Sequence, residues 1–133
     1  MEKNQTIKAS EIRIQNILQH KDNIITVKGI SPHCNDYAIN TDSEWVYLKN
    51  CSPIPLTEEW LLRMGAKRNR DGWYLSADYM LYNPLTHLDV RSSEYYALMY
   101  NDKIITTRPI QYIHQLQNLY YSLTNQELEI KES

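Results

Sequence analysis

Four polar residues near the end of the chain have the types and spacing to recognise a ligand. His114 and Gln117 lie three positions apart, as do Gln115 and Asn118, so each pair shares a face if the segment is helical. A solvent-facing helix usually carries Lys and Glu, whereas amides and an imidazole suit semi-buried hydrogen bonding. The pattern predicts either a ligand-binding stripe or hydrogen bonds to a neighbouring sheet or to a second subunit.

A second set of residues combines positive charge with aromatic rings. Arg68 and Arg70 lie beside Trp73 and Tyr74. Guanidinium groups hold phosphates while aromatic rings stack on bases, so the pattern suits nucleotide binding, although a solvated hairpin tip also explains it. Arg13 is a further candidate cation, and Trp45 is a further candidate indole. The candidate ligand-binding residues are therefore Arg13, Trp45, Arg68, Arg70, Trp73, Tyr74, His114, Gln115, Gln117 and Asn118.

The sequence contains no motif for catalysis or metal binding. The four histidines are scattered, and Cys34 and Cys51 form no CxxC pair. Three glycines are too few for a glycine-rich phosphate loop. We therefore expect a binding protein that is not an enzyme, with no metal ion and no cofactor.

Composition narrows the classes of partner. A length of 133 residues with 42% hydrophobic residues suits one domain or two small subdomains. A net charge of −2 gives no strong attraction to nucleic acid, which argues against nucleic acid as the main partner. No apolar run is long enough for a membrane span and no apolar signal segment opens the chain, so a cytoplasmic location with reduced thiols is expected.

The predicted secondary structure that positions these residues changes near residue 57, from short strands to a helix. Before it lie four or five short strand-like runs, including one at residues 24–30 that is followed by a loop at residues 31–36. Such short, closely spaced strands predict a small curled sheet, in the manner of an SH3-like barrel. From Thr57, a capping residue, acidic first turn and terminal glycine predict a short helix to Met64.

The second half of the chain predicts an antiparallel meander followed by a long helix. Hairpin turns are expected at residues 71–72 and 101–102, where Asp-Gly and Asn-Asp pairs occur. The helix is expected to begin near Pro109, since proline suits a first helical turn. Its apolar stripe consists of Ile113, Leu116, Tyr120 and Leu123. The predicted fold class is therefore α+β.

The chain is expected to divide into two packed subdomains, because its only linker-like stretch, residues 52–56, is short. We predict a flexible N-terminus at residues 1–9, a barrel-like subdomain at 10–56, an α+β subdomain at 57–130 and a tail at 131–133.

Three segments carry a family resemblance: Ser10–Asn16, Leu56–Ala66 (LTEEWLLRMGA) and Tyr112–Leu128 (YIHQLQNLYYSLTNQEL). Together they resemble a family of small proteins, without an assigned activity, encoded by phages and mobile elements of Bacteroidetes. The resemblance extends over about residues 10–130, although Gln15 and Asn125 stand where the family usually has Gly. It implies a phage origin and a place in the cytoplasm of an infected bacterium.

Small phage proteins of this kind often act against host defence. The expected function is sequestration of a nucleotide-derived immune signal, which needs a concave pocket in which Trp or Tyr faces Arg or Lys. The alternative is a module that docks on a host defence protein or a phage assembly through an exposed aromatic patch. A nucleic-acid-binding SH3-like module is a third reading. A homodimer, for example through the long helix, is also expected.

Overall fold

The structure, a computed structural model, describes residues 7–68, 72–76, 78–82, 96–101, 103–105 and 110–131. These residues form an α+β fold with antiparallel strands and a C-terminal helix, which confirms the predicted class. Contacts between Cα atoms divide the chain into two units. The first unit comprises Met1–Ile54 with Tyr112–Gln126, and the second unit comprises Pro55–Gln111 with Glu127–Ser133.

The strands of the first unit form two three-stranded antiparallel sheets in the described residues. They are β1 (Ile17–His20), β2 (Asn23–Thr26), β3 (Gly29–His33), β4 (Asp36–Asn40), β5 (Trp45–Tyr47) and β6 (Cys51–Ser52). One sheet has the order β2-β1-β6 and the other has the order β3-β4-β5. Short 3-10 turns lie at Ala9–Glu11 and Leu48–Asn50.

The core of the first unit follows from alternation along these strands. Ile25 is buried in β2, and Val27 is buried just after it, whereas Ile24 is 46% exposed. Burying an aliphatic side chain of this size contributes about 1.5–3 kcal/mol, so one face of each strand drives folding. The buried cluster consists of Ile7, Leu18, Ile25, Val27, Ile39, Val46, Leu48 and Cys51.

Two strand predictions for this unit are wrong in their boundaries. The apolar run at residues 24–30 is divided between β2 and β3, and β3 continues to His33 through a segment predicted to be a loop. The reversal takes only Cys34 and Asn35, which have φ of 48° and 66°. Positive φ at both central residues characterises a two-residue hairpin turn. Pro32 fits in β3 because β3 is an edge strand.

Helix α2 (Ile113–Thr124) follows an extended cap at Tyr112. This cap lies three residues after Pro109, near which the helix is predicted to begin. Pro109 itself lies outside the described residues. The side chain of Gln115 accepts a hydrogen bond from the Tyr112 amide at 3.1 Å and so caps the first turn. The helix ends at Asn125, whose φ of 60° provides a left-handed cap.

The apolar stripe of α2 is largely buried. Ile113 and Leu116 are fully buried, Tyr120 is 8% exposed and Leu123 is 42% exposed, and α2 packs on β1. This stripe therefore packs mainly inside the first unit.

The second unit contains one short helix and one five-stranded antiparallel sheet. Its elements are α1 (Glu58–Arg63), β7 (Lys67–Arg68), β8 (Gly72–Tyr74), β9 (Tyr79–Tyr82), β10 (Ala97–Tyr100) and β11 (Lys103–Ile104). The sheet has the order β11-β10-β9-β8-β7. The Thr57 side chain caps α1, and Gly65 follows it with φ of 80°.

The meander predicted for this half is confirmed. Asn101, with φ of 50°, turns β10 into β11, while Asp71 and Asp102 lie outside the described residues. Gly72 pairs with Tyr82 at the start of β8, where a Cβ atom would collide with the backbone carbonyl of Leu81.

The grouping of α2 differs from the predicted subdomains at residues 10–56 and 57–130. Contacts place α2 in the first unit, where the Ile113 amide donates to the carbonyl of Ile54 at 2.9 Å. The first unit is thus built from two separate segments of the chain, and residues 55–111 form an insertion between them.

Candidate functional site

Gln117, one of the predicted stripe residues, is an internal anchor. Its side-chain oxygen accepts the Ile17 amide at 3.0 Å, and its side-chain nitrogen donates to the carbonyl of Gln15 at 3.1 Å. Gln117 is 2% exposed, so its amide satisfies backbone groups that would otherwise be buried without partners.

Asn118 extends this anchor towards the N-terminus. Its side-chain oxygen accepts from Asn16 Nδ2 at 2.7 Å and from Arg13 Nε at 3.1 Å, while its nitrogen donates to the carbonyl of Glu11 at 2.8 Å. We call the hydrogen bonds that join residues 11–17 to Gln117 and Asn118 the N-terminal anchor. For Gln117 and Asn118, these bonds correspond to the second of the two predicted roles of the stripe, which is hydrogen bonding within the protein instead of ligand binding.

Arg13, the cation predicted to face a ligand, belongs to the same anchor. Besides Asn118, its guanidinium donates to the carbonyls of Ile14 and Gln117 at 3.2 and 3.3 Å. The guanidinium carbon also lies 4.4 Å from the centre of the Tyr121 ring. These contacts fix Arg13 against α2.

His114 is buried, with 2% exposure, and in the described residues neither ring nitrogen has a hydrogen-bond partner. Its ring stacks on Tyr112 at 6.2 Å, and Nε2 lies 4.0 Å from a carboxylate oxygen of Glu11. Burial lowers the pKa of His114, and the negative charge of Glu11 opposes this only in part. The imidazole is therefore neutral near pH 7.

The predicted cluster of basic and aromatic residues is only partly exposed. Arg68 forms an ion pair with Glu58 at 2.8 Å and lies 5.4 Å from the centre of the Trp73 ring. Trp73 is 5% exposed and Tyr74 is 42% exposed, while Arg70 lies outside the described residues. Trp73 therefore offers no free face for stacking.

A cavity of about 460 Å³, which we call the Lys67 pocket, lies beside Tyr74 in the second unit. Lys67 and Tyr74 are direct cross-strand partners on β7 and β8. An ammonium group beside an exposed ring provides one site for a negative charge and one for stacking. The pocket is lined by Gly65, Lys67, Tyr74, Leu75 and Ser76.

A cavity of about 440 Å³ in the first unit, which we call the Trp45 groove, lies on the sheet β3-β4-β5. Ser31, Ala38 and Tyr47 lie in register across the three strands, so they share one face. Trp45 shares that face because it is two residues from Tyr47. Small side chains thus form the floor and aromatic rings form the wall. The groove is lined by Ser31, Pro32, His33, Ala38, Trp45, Val46 and Tyr47.

Trp45 is the most exposed aromatic side chain of the groove, at 57%. Tyr47 is held in place, since its hydroxyl contacts His33 Nδ1 at 3.1 Å and their rings lie 5.6 Å apart. The ammonium of Lys49 lies 5.6 Å from the centre of the Tyr47 ring. The groove is therefore an apolar, ring-lined surface with a fixed Tyr47 and an accessible Trp45.

Of the residues that form this groove, only Trp45 is among the candidates predicted from the sequence. His33 falls in the segment predicted to be a loop, because the two-residue turn at Cys34 and Asn35 contains no glycine and so lacks the usual hairpin signal. The alternation of Trp45 and Tyr47 was the available signal, since strand residues two apart face the same side.

The described residues include histidine, cysteine and acidic side chains of the kinds that ligate metals. No three of their His, Cys, Asp or Glu side chains come together as metal ligands would. Cys34 and Cys51 are free thiols, and burial, with the charge of Asp36, raises the pKa of Cys51 to about 11. That thiol stays protonated and unreactive at neutral pH.

No helix in the described part of the chain is long and apolar enough to cross a membrane. Comparison of the chain with protein-family models, curated proteins and solved structures gives no match.

Proposed function

We propose that the protein is a non-enzymatic interaction module that binds an extended segment of a partner protein in the Trp45 groove. It would act as a phage accessory protein in the bacterial cytoplasm, where the partner is a host defence factor or a component of a phage assembly. The observation that carries the proposal is the 57% exposure of Trp45 in a groove whose floor is made of small residues. Indole rings exposed in such pockets are typical anchors of protein interfaces.

The charges of the chain favour a protein segment over a nucleotide as the ligand of this groove. A polyphosphate ligand needs several free cations, but Arg13 is held by the N-terminal anchor and Arg68 by Glu58. Near the groove, the Lys49 ammonium lies over the Tyr47 ring, and the Asp36 carboxylate accepts the Lys49 backbone amide at 3.5 Å. An apolar, ring-lined groove suits a partner that binds mainly through shape and apolar contact.

The most suitable segment is a proline-rich one in the polyproline II conformation. Such segments are extended in solution, so they lose little entropy on binding, and they dock between neighbouring aromatic rings. Trp45 and Tyr47 provide two neighbouring rings on one strand, with Pro32 beside them. The SH3-like character predicted for this half of the chain is part of the proposal, since SH3 domains recognise such ligands.

Fluorescence anisotropy titration with a panel of synthetic, dye-labelled proline-rich decapeptides tests this proposal. We expect the protein to raise the anisotropy of at least one peptide, and Trp45→Ala to weaken its binding at least about tenfold, or 1.4 kcal/mol. Leu62→Ala is the matched control, because Leu62 is 63% exposed on α1 in the second unit. Binding that Trp45→Ala leaves unchanged, or no binding by any peptide, would contradict the proposal.

The second candidate function is sequestration of a nucleotide-derived immune signal. In this case the signal would bind in the Lys67 pocket. The observation that favours it is the pairing of an exposed Tyr74 with Lys67 across β7 and β8. In a thermal-shift screen with cyclic dinucleotides and ADP-ribose, a ligand at about 100 times its dissociation constant adds about 2.7 kcal/mol of stability. A shift that Lys67→Ala abolishes, with the nucleotide recovered intact, would support this candidate, and no shift would exclude it.

A further inference from the structure

Strand β5 is an edge strand whose outer side carries the backbone groups of Trp45 and Tyr47. Thr41 donates its amide to the carbonyl of Glu44 at 2.8 Å, and this closes the β4–β5 hairpin. Hydrogen-bonded pairs alternate in antiparallel strands, so the next such pair is Ile39 with Val46. The peptide groups of Trp45 and Tyr47 must then point away from β4.

The neighbouring strand supports this assignment independently. The carbonyl of Asn40 accepts the Lys28 amide at 2.7 Å and so faces β3. Its neighbour Ile39 must face the opposite side, towards β5. The sheet order β3-β4-β5 leaves the outer side of β5 open in the described residues.

We propose that this edge pairs with β5 of a second copy of the chain, in antiparallel orientation and centred on Val46. Trp45 of one copy then lies opposite the partner's Tyr47 as a hydrogen-bonded pair, and the reverse pair forms at the other end. The Tyr47 carbonyl is engaged within its own chain, because it begins the 3-10 turn Leu48–Asn50 and also accepts the Cys51 thiol at 3.5 Å. The hydrogen bonds across the edge are therefore those that each Tyr47 amide donates to the partner's Trp45 carbonyl.

The charges that flank β5 are complementary to themselves in this register. The strand is preceded by exposed Asp42 and Glu44 and followed by exposed Lys49. Asp42 lies in the turn that precedes β5, and Lys49 lies in the 3-10 turn Leu48–Asn50 that directly follows it, so an antiparallel pair brings each turn near the other copy's opposite end. The acidic turn of each copy therefore meets the lysine of the other at both ends, whereas a parallel arrangement would place like charges together. This complementarity favours a second copy over an unrelated strand.

Pairing of two short edges would join the two sheets into one of six strands. The two Trp45 grooves would then lie on one face of a continuous sheet, with both pairs of aromatic rings along its centre. Three-residue edges bury little area compared with the 1,200–2,000 Å² of stable interfaces, so the dimer should be reversible and should depend on concentration. Pairing of the two β5 edges requires no particular ligand in the Trp45 groove.

Sedimentation of the full-length chain over a range of concentrations tests the proposal. We expect reversible dimers, and Tyr47→Pro should weaken them at least about tenfold relative to Tyr47→Ala, or 1.4 kcal/mol. Both variants lose the ring, but only proline removes the outward amide. Tyr47 has φ of −83°, which proline accepts, so unchanged circular dichroism should accompany the effect. A monomer at all concentrations, or equal dimerisation of the two variants, would overturn the proposal.

A charge exchange tests the register separately. Lys49→Glu alone and Asp42→Lys/Glu44→Lys alone should each dimerise less than the unmodified chain, because each places like charges at both ends. Mixing the two variants should restore dimers, since both ends of the mixed pair then join opposite charges. Weakened homodimers that the mixture does not restore would exclude this register.

Discussion

The turn that leads into β1 depends on a backbone conformation that is unfavourable for its residue. Gln15 has φ of 84°, in the left-handed region where an L-residue other than Gly costs about 1–2 kcal/mol. Two hydrogen bonds hold it there: its amide donates to the Val27 carbonyl at 2.7 Å, and its carbonyl accepts from Gln117 at 3.1 Å. The turn therefore stores strain that the surrounding contacts maintain.

We predict that Gln15→Gly raises the free energy of unfolding by about 1 kcal/mol, because glycine adopts positive φ without a steric penalty. Urea denaturation measures the change. Gln19→Gly, in the extended strand β1, is the control and should lower stability, since glycine there only adds entropy to the unfolded chain. A Gln15→Gly variant that is less stable than the original chain would contradict the strain assigned to this turn.

The buried His114 makes stability depend on pH. Its folded pKa is lowered from the ordinary value of 6.5, so above that pH the ring is neutral in both states. As pH falls below about 6.5, the unfolded chain takes up a proton and the folded chain does not, so the free energy of unfolding decreases until the folded pKa is reached. Unfolding measured between pH 7.5 and about 5 should reveal this loss.

His114→Leu isolates the effect from the titration of carboxylates elsewhere. The variant should lose less stability than the original chain over the same pH interval, whatever its stability at pH 7.5. Parallel pH profiles for the two proteins would show that His114 titrates as it does in water, contrary to its burial.

Among the elements, α2 owes its place in the first unit to polar contacts as well as to its apolar stripe. In Gln117→Leu the Ile17 amide and the Gln15 carbonyl would lose their partners inside the protein, and an unsatisfied buried group costs about 1–3 kcal/mol. We predict a loss of about 2 kcal/mol, seen as a lower urea midpoint. Ser122→Ala, which removes an exposed hydrogen bond of the same helix, should change stability by less than about 0.5 kcal/mol.

The elements that the sequence predicted well are those with local signals. The Thr57 cap, the glycine after α1 and the positive-φ Asn101 act within a few residues, and all three lie where expected. The start of α2 is different, because its cap is Tyr112, a residue without a capping preference. Its position depends on the hydrogen bond from the Ile113 amide to the carbonyl of Ile54, which lies 59 residues earlier in an extended segment after β6.

The candidate site shows the same division. The amides and imidazole of the polar stripe predict semi-buried hydrogen bonding. The partners of the stripe lie about 100 residues away in the sequence, so helical periodicity cannot identify Asn16 or the Ile17 amide as those partners. The Trp45 groove depends on the register of three strands. Once the turn at Cys34 and Asn35 is placed, simple alternation brings His33, Tyr47 and Trp45 to one face.

At the scale of the whole molecule, the chain leaves the first unit after Ile54, returns to it at Tyr112 and leaves it again after Gln126. Residues 55–111 are an insertion between Ile54 and Tyr112, and the hydrogen bond from Ile113 to Ile54 places the two ends of the insertion side by side. The buried cluster of the first unit contains only residues before the insertion. These features suggest that the insertion is separable.

We predict that a chain that stops at Gln126, and in which residues 55–111 are replaced by a short Gly/Ser linker, folds and retains the Trp45 groove. Closing a short loop between adjacent ends costs little entropy, so cooperative thermal unfolding and native-like near-ultraviolet circular dichroism are expected. A version with Gln117→Leu should be markedly less stable than this shortened chain. A shortened chain without a cooperative transition would mean that the first unit does not fold independently.

The N-terminal anchor also has a consequence for synthesis on the ribosome. Arg13 and its partner Asn118 are separated by 105 positions, and at about 5–20 residues per second the helix end of the anchor emerges roughly 5–20 s after the arginine. During that interval β1 and β2 have been made, but the helix that covers them has not. The nascent chain must therefore keep the side of β1 that packs on α2 in contact with water, or with a chaperone, until that helix has been translated.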